Sequence, residues 1–346
     1  MEENHLAGSS ASLRAYVITR VLLMVPMLLI LLTFTFLLLR VAPGDPVSAI
    51  YGEKGNPQVI DQIKRELGLY DPLYVQYFTY LRGVFTGNMG TSIVSSKPVI
   101  QEIQDRMPAT LELTISSMIV ASVFGIGLGT FAGTRRDRPT DFGTRIFASM
   151  AYNIPIFWFG LILKLIFGLW LGWLPVSGRF SPRLNLPPRF TGMYTVDTLL
   201  SGDLRGFADA VAHLILPSLT LGIVLSGFFI RITRVNVIQS MGSDFVEAAR
   251  ARGIPERSVF FRHALKNALV PVITTMGLTF ALLFSGAILT ETVFSFEGMG
   301  RFVFYAISYR DYPAIQGAVV YYGILMVVIS LLIDIVNAFV DPRIRY

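Results

Sequence analysis

One charged segment, FVEAARARGIP at 245–255, carries a helix-stop pattern and lies between two long apolar runs. Asp244 and Glu247 have the spacing of a capping box, in which two side chains satisfy free N–H groups at the start of a helix. Gly253 predicts a left-handed helix stop, and Pro255 suits the first position of a second helix. We therefore expect a helix, a sharp turn and a second helix.

The first of these helices presents small residues beside charged ones. Phe245, Ala248, Ala249 and Arg252 fall on neighbouring faces, and the two alanines would allow another surface to approach closely. Three interpretations compete: a DNA-binding helix-turn-helix, a basic loop that only enforces topology, and a rigid element that docks on a cytoplasmic partner. Apolar runs tether the segment on both sides, which argues against a DNA reader. A loop needed only for topology requires no cap and no Gly-Pro break, so we favour the docking element.

Other chemistry is sparse in the sequence. The chain has no cysteine, and its three histidines, His5, His213 and His263, are far apart. Disulfides and thiolate chemistry are thereby excluded, and neither a His-rich metal site nor an enzymatic role is expected. The pattern GxxxxGK[ST] does not occur, so the chain has no phosphate loop for ATP. Any ATP-derived energy must come from another polypeptide.

The composition indicates a membrane protein. Of 346 residues, 53% are apolar and only 15% are charged, and the mean hydropathy is +0.58. We predict an all-α membrane protein with six transmembrane helices, because each long apolar run matches the thickness of a bilayer. The runs are residues 21–39, 111–132, 146–171, 214–230, 270–289 and 314–340.

The distribution of arginine predicts the orientation. The connections 134–145 and 231–266 are rich in arginine, so both are expected in the cytoplasm together with both termini. Residues 1–20 then form a cytoplasmic N-terminal segment, and 21–346 form one transmembrane domain with an extracytoplasmic insertion at 41–110. The net charge of +6 is explained by these loops, and no nucleic-acid partner is expected.

Several polar residues lie in or near the apolar runs, where charge is costly and faces a partner or a cavity. For Glu112 and Asp334 we favour interfacial or structural pairing, and Lys164 is expected to pair internally or to extend its charge toward water. Glu291 and Glu297, near the predicted outer mouth, are candidates to meet the amino terminus of a peptide. The polar residues of this group are Glu112, Asn153, Lys164, Asp334 and Asn337.

The charged segment resembles the signature of a known family, the permease subunits of ABC importers, and in particular the first-permease type of the dipeptide and oligopeptide branch. That signature is Glu-Ala-Ala separated by three residues from a glycine, and Glu247, Ala248, Ala249 and Gly253 match it. Glu297 departs from the pattern, since relatives commonly carry proline there. Further family-like stretches are APGDP, LGLYDPLYVQY, GTS, ATLEL, GWLPVSG, ARARGIPERSVFFRHALKNALVPVIT and ETVFSFEGMGR.

The resemblance implies a type I ABC importer permease in the plasma membrane of a prokaryote. It implies a second homologous permease subunit, two ATP-binding cassette subunits that bind ATP and Mg²⁺, and an extracytoplasmic binding protein that delivers dipeptides or oligopeptides. Nickel chelates, glutathione and oligosaccharides are alternative cargoes, and an ion-driven transporter that uses Lys164 and Glu112 is the alternative mechanism. The residues implied in ATPase coupling are Asp244, Glu247, Ala248, Ala249, Arg252, Gly253 and Pro255.

Overall fold

A computed structural model describes residues 22–23, 25–40, 47, 56–66 and 68–340. Within these ranges the fold is α-helical, and the one β-bridge joins Thr91 to Pro98. The predicted all-α fold is confirmed. The N-terminal segment 1–20 and most of 41–55 lie outside the described residues.

The helices are numbered α1 to α13 along the chain. Some are interrupted by π-helical turns: Lys164–Trp170 continues α6, and Glu256–Ser258 with the π-turn Val259–Ala264 leads into α10. The bounds are α1 Val25–Arg40, α2 Pro57–Glu66, α3 Leu73–Thr86, α4 Val99–Thr134, α5 Pro139–Asn153, α6 Ile156–Leu163, α7 Tyr194–Leu200, α8 Leu204–Met241, α9 Asp244–Ala251, α10 Leu265–Gly286, α11 Ile288–Val293, α12 Met299–Ser308 and α13 Tyr312–Val340.

Four long helices in the described residues are apolar enough to cross a membrane, and each overlaps one of the six predicted runs. The run at 146–171 differs, because α5 and the α6 segment meet at an angle of 103°. Ile154 has extended backbone angles (φ −72°, ψ 129°), as expected for a residue that precedes a proline. Pro155 therefore breaks this run. Helix α1, Val25–Arg40, covers residues 25–39 of the first run. The count of six spans stays a prediction.

The described residues divide into two compact units. Unit 1 contains the residues up to Met107 and Gly298–Leu332, and unit 2 contains Pro108–Glu297 and the residues from Ile333 onward. In unit 1, α2 covers Pro57–Glu66. Asn56 accepts a hydrogen bond from the N–H of Gln58 (3.0 Å) at the start of α2, and Gly68 adopts a left-handed conformation (φ +63°).

Unit 1 has its own apolar cluster, and a buried carboxylate fixes the start of α13. Asp311, which is 1% exposed, accepts hydrogen bonds from Ser92 Oγ (2.5 Å) and from the N–H of Ala314 (3.2 Å). The second bond caps α13, and the first joins the helix start to the turn before α4. The cluster consists of Val99, Ile103, Met299, Phe302, Ala306, Ala314 and Ala318.

In unit 2, the long helices α4 and α8 approach each other closely along a stripe of glycines. Gly125, Gly129 and Gly133 are spaced four residues apart on α4, so they share one face. They lie against Phe229, Thr233 and Val237, which are likewise spaced by four on α8. A Cβ atom added to any of the three glycines would lie 2.4–2.7 Å from one of these side chains. This is the small-residue packing by which membrane helices associate, because dispersion contacts replace the missing hydrophobic force.

We predict opposite effects for alanine at two glycines of α4. In Gly129→Ala the new Cβ would meet Thr233 Cβ at 2.6 Å and the carbonyl oxygen of Ile230 at 2.8 Å. Overpacking of this kind lowers the free energy of unfolding by about 1–3 kcal/mol. Gly127 is the control, because no described atom lies within 4 Å of a Cβ added there. Alanine favours helix over glycine by about 1 kcal/mol, so Gly127→Ala should raise the free energy of unfolding. Thermal unfolding of the detergent-solubilised protein measures both, and equal midpoints for the two variants would refute close packing.

Candidate functional site

The segment around α9 begins differently from the prediction. Ser243, not Asp244, is the N-cap residue (φ −90°, ψ 152°), and its Oγ donates a hydrogen bond to the carbonyl of Ser240 (2.6 Å). The predicted capping box is therefore wrong. Asp244 and Glu247 lie in the first turn of α9, where their negative charges interact favourably with the helix dipole.

The end of α9 is a Schellman turn, which confirms the predicted glycine stop. Gly253 has φ +74°, and its N–H bonds to the carbonyl of Arg250 (2.9 Å), while the N–H of Ile254 bonds to the carbonyl of Ala249 (3.3 Å). This pair of bonds satisfies the last carbonyls of the helix. Pro255 lies one position earlier than predicted: it is the residue before the first turn of the next helix, which begins at Glu256.

One face of α9 packs against the chain itself. Val246 and Ala249, 0% and 6% exposed, pack with Val259 and Ala264 of the following π-turn. Ala249 is thus covered by its own chain, and the prediction that both alanines face another surface is wrong for this one. The Oγ of Ser240 also donates to the carbonyl of Ala264 (2.7 Å), so the end of α8 is joined to the same turn.

The opposite face of α9 is exposed. It is bordered by an ion pair in which Arg250 donates two hydrogen bonds to the carboxylate of Glu256 (2.6 and 3.1 Å) across the glycine turn. These bonds raise the pKa of the Arg250 guanidinium and lower the pKa of the Glu256 carboxyl, so both groups stay charged at physiological pH. The result is a short helix held on its inner side and open on its outer side. The exposed residues of the outer face are Asp244, Phe245, Glu247, Ala248 and Arg252.

A buried polar network lies elsewhere in unit 2, around Glu112. Arg179 and Glu112 form an ion pair at 2.9 Å, and their side chains are only 7% and 6% exposed. Thr195 donates two further hydrogen bonds to the carboxylate, from its N–H and its hydroxyl, each 2.7 Å long. The guanidinium also lies 4.0 Å from the ring centre of Tyr194 and donates to the carbonyl of Gly192. The expectation that Glu112 pairs structurally is confirmed.

The other polar residues singled out in the sequence have different environments. Lys164 donates to the carbonyl of Val293 (2.9 Å) at the end of α11, so it pairs internally. Glu291 is 0% exposed and accepts a hydrogen bond from Thr110 (2.6 Å), so the prediction that it faces the outer mouth is wrong for this conformation. Glu297 is exposed. Asn153 donates to the carbonyl of Ser149, whereas the side chains of Asp334 and Asn337 lie outside the described residues.

Among the described residues, several long apolar helices with buried polar contacts between them have the character of a multi-pass membrane protein. The chain belongs to the family of binding-protein-dependent transport system inner membrane components, whose model matches residues 125–346, and the N-terminal model of the same family matches residues 13–114. Such a component is the permease of an ABC importer in the plasma membrane, it works in a complex with other subunits, and its ATPase is a separate subunit.

Relatives match the chain over nearly its whole length. It is 39% identical to a dipeptide transport system permease of Alkalihalophilus pseudofirmus and to a di/tripeptide transport system permease of Pseudomonas aeruginosa, over 96% of this chain and 99% of each relative. It is 38% identical to a glutathione transport system permease of Salmonella choleraesuis, again over 96% of this chain and 99% of the relative.

The buried ion pair yields a stability prediction. Replacement in Arg179→Leu leaves the Glu112 carboxylate buried with only its Thr195 bonds, and breaking a buried pair in this way lowers the free energy of unfolding by about 3–5 kcal/mol. Adding Glu112→Gln should recover part of the loss, because it removes the uncompensated charge. Thermal unfolding of the three proteins measures this coupling.

A surface ion pair gives the matched control. Arg65 pairs with Asp61 at 2.9 Å, but the two side chains are 75% and 44% exposed, so Arg65→Leu should change stability by less than about 1 kcal/mol. Equal losses in Arg179→Leu and Arg65→Leu would show that the network around Glu112 does not stabilise the fold.

Proposed function

We propose that this chain is the permease subunit of an ATP-driven peptide importer and that α9 with its glycine turn is the segment that docks on an ATP-binding subunit. The observation that carries the proposal is the division of α9 into two faces. Val246 and Ala249 hold it to its own chain, while Glu247 and Ala248 stay exposed. A helix that only reversed the chain direction would not need an exposed face with small and charged side chains.

The segment has the mechanical properties that coupling requires. Its inner contacts join α9 to the π-turn Val259–Ala264, and this turn continues directly into the apolar helix α10. The bond from Ser240 to Ala264 joins the same turn to the end of α8. A displacement applied to the outer face of α9 is therefore transmitted to two long apolar helices.

Membership of the family supports a proposal for the remaining partners. We propose a second homologous permease subunit, two ATP-binding cassette subunits that hold ATP and Mg²⁺, and an extracytoplasmic binding protein that delivers cargo. The lipid bilayer surrounds the apolar helices, and both termini lie in the cytoplasm. The cargo is proposed to be dipeptides or oligopeptides, because several relatives are named for dipeptide transport.

Two substitutions test the docking surface. Glu247→Arg reverses a charge on the outer face, and Gly253→Val places a β-branched residue at φ +74°, a conformation that such residues rarely adopt. Each should reduce dipeptide uptake by about tenfold or more, which corresponds to the loss of roughly 1.4 kcal/mol at the contact. The readouts are uptake of a labelled dipeptide and ATPase activity stimulated by the binding protein, both in proteoliposomes that contain the whole complex.

The matched control for the turn is Gly253→Asn, since asparagine adopts the left-handed region readily and nothing in the described residues lies within 4 Å of an added Cβ. It should retain most of the uptake. If Glu247→Arg and Gly253→Val left uptake and stimulated ATPase activity at the wild-type level in correctly inserted protein, α9 would not be the coupling segment.

Cargo contact at the outer side is proposed for Glu297, whose carboxylate is exposed and suits the amino terminus of a peptide. Glu297→Arg should raise the KM for dipeptide uptake, while Glu297→Asp, which keeps the charge, should change it little. An unchanged KM in Glu297→Arg would remove this residue from the cargo path. Peptides with blocked amino termini should be insensitive to the substitution.

A further inference from the structure

Unit 1 contains a cavity of about 380 Å³, with both polar and apolar walls, that the proposed transport mechanism does not use. Its lining comes from the end of α1, from α3 and the turns on either side of it, and from the first turns of α13. A cavity of this size accommodates several non-hydrogen atoms, and its walls carry both donors and acceptors. Residues that matter for its chemistry are Arg40, Glu66, Asp71, Tyr80 and Gln316.

Three hydrogen-bond donors of the lining have no partner in the described part of the chain. Nε of Arg40, the hydroxyl of Tyr80 and Nε2 of Gln316 are all buried and unbonded. Burial raises the pKa of Tyr80 far above its ordinary value, so this hydroxyl keeps its proton and can donate. Leaving even one buried donor unsatisfied is unfavourable, and these three line one cavity.

Arg40 is the strongest of the three donors. Its guanidinium carries five N–H groups, and no carboxylate pairs with it among the residues that the structure describes. The rings of Phe36 and Tyr312 lie 5.4 and 5.8 Å from its central carbon, and these contacts orient the cation without using its hydrogen-bonding capacity. A partly buried guanidinium in this state matches a phosphate or a carboxylate.

The rim of the cavity has the opposite charge. Glu66 and Asp71 line it and are exposed to solvent. An anion alone would be repelled by these two carboxylates. A zwitterion satisfies both ends, with its oxyanion at Arg40 and its ammonium group at the rim.

The position of Arg40 in the chain indicates the source of such a zwitterion. Arg40 is the last residue of α1, whose preceding residues expose large apolar side chains, among them Phe34, Leu37 and Leu38 at 51–63%. A cation directly after such a surface lies at the boundary between hydrocarbon and water. Phospholipid headgroups occupy that boundary.

We propose that the cavity of unit 1 binds a zwitterion through Arg40 and the acidic rim, and that the zwitterion is the phosphoethanolamine headgroup of a membrane lipid. The phosphate accepts hydrogen bonds from Arg40, Tyr80 and Gln316, and the ammonium group pairs with Glu66 and Asp71. The acyl chains lie along the exposed apolar surface of α1.

Native mass spectrometry of the intact transporter complex, titrated with phosphatidylethanolamine or phosphatidylglycerol, tests the proposal. Wild-type protein should bind phosphatidylethanolamine more tightly than phosphatidylglycerol. Arg40→Gln should weaken phosphatidylethanolamine binding by about tenfold, as expected for the loss of a hydrogen bond to a charged group. Arg82→Gln, which removes an exposed arginine of α3 outside the cavity lining, is the matched control and should change nothing.

Two further arms keep the test decisive. Asp71→Asn should reduce the preference for phosphatidylethanolamine over phosphatidylglycerol without abolishing lipid binding. Arg40→Lys keeps the positive charge and should retain part of the affinity, which distinguishes loss of the charge in Arg40→Gln from misfolding. Equal lipid affinity in wild type and Arg40→Gln, or an equal loss in Arg82→Gln, would overturn the proposal. If lipid-depleted protein bound alanyl-alanine in an Arg40-dependent way and bound no phosphatidylethanolamine, the lipid assignment would be overturned and a peptide would be the zwitterion.

Discussion

Close approach of α4 and α8 is the constraint on which unit 2 depends. Two helices in an apolar solvent gain little from burying apolar side chains, so they associate through the contacts that small residues permit. The glycines of α4 bring its backbone against α8, where Gly129 would tolerate no Cβ beside Thr233. Because α8 continues toward α9, a fixed α8 also fixes the place at which the charged segment begins.

Several buried polar groups in this fold join segments that are distant in sequence through hydrogen bonds and ion pairs. The pair Glu112 and Arg179 is separated by 67 residues, and Lys164 donates to a carbonyl 129 residues further on. Charges in an ion-driven transporter must exchange protons or cations during the cycle. Glu112 is instead buried and held by Thr195 and Arg179 together, and Lys164 is engaged at the end of α11. These contacts give no support to the ion-driven alternative.

Much of the fold was predictable, because its signals are local. Apolar runs located the long helices, and Gly253 required a left-handed turn whose two hydrogen bonds the structure contains. The bend between α5 and α6 had a local signal too, since Pro155 disfavours helix at Ile154, but a continuous apolar run masked it. The glycine stripe was also visible as a spacing of four. Neither the partner of Glu112 nor the burial of Glu291 had such a signal, because both depend on segments that meet only after folding.

The burial of Ala249 bears on the docking role that we propose for the charged segment. Sequence periodicity places Ala248 and Ala249 on neighbouring faces of α9, but it cannot say which face the chain itself covers. Ala249 and Val246 are both buried, so the exposed face of α9 includes only Ala248 of the two alanines. The buried face attaches α9 to the turn before α10. A segment that transmits a displacement needs one face attached to its own chain and one face free for the partner. The eight-residue helix α9 has both. The two adjacent alanines therefore have different roles. Ala249 packs the helix against its own chain, and Ala248 leaves room for the partner that we propose.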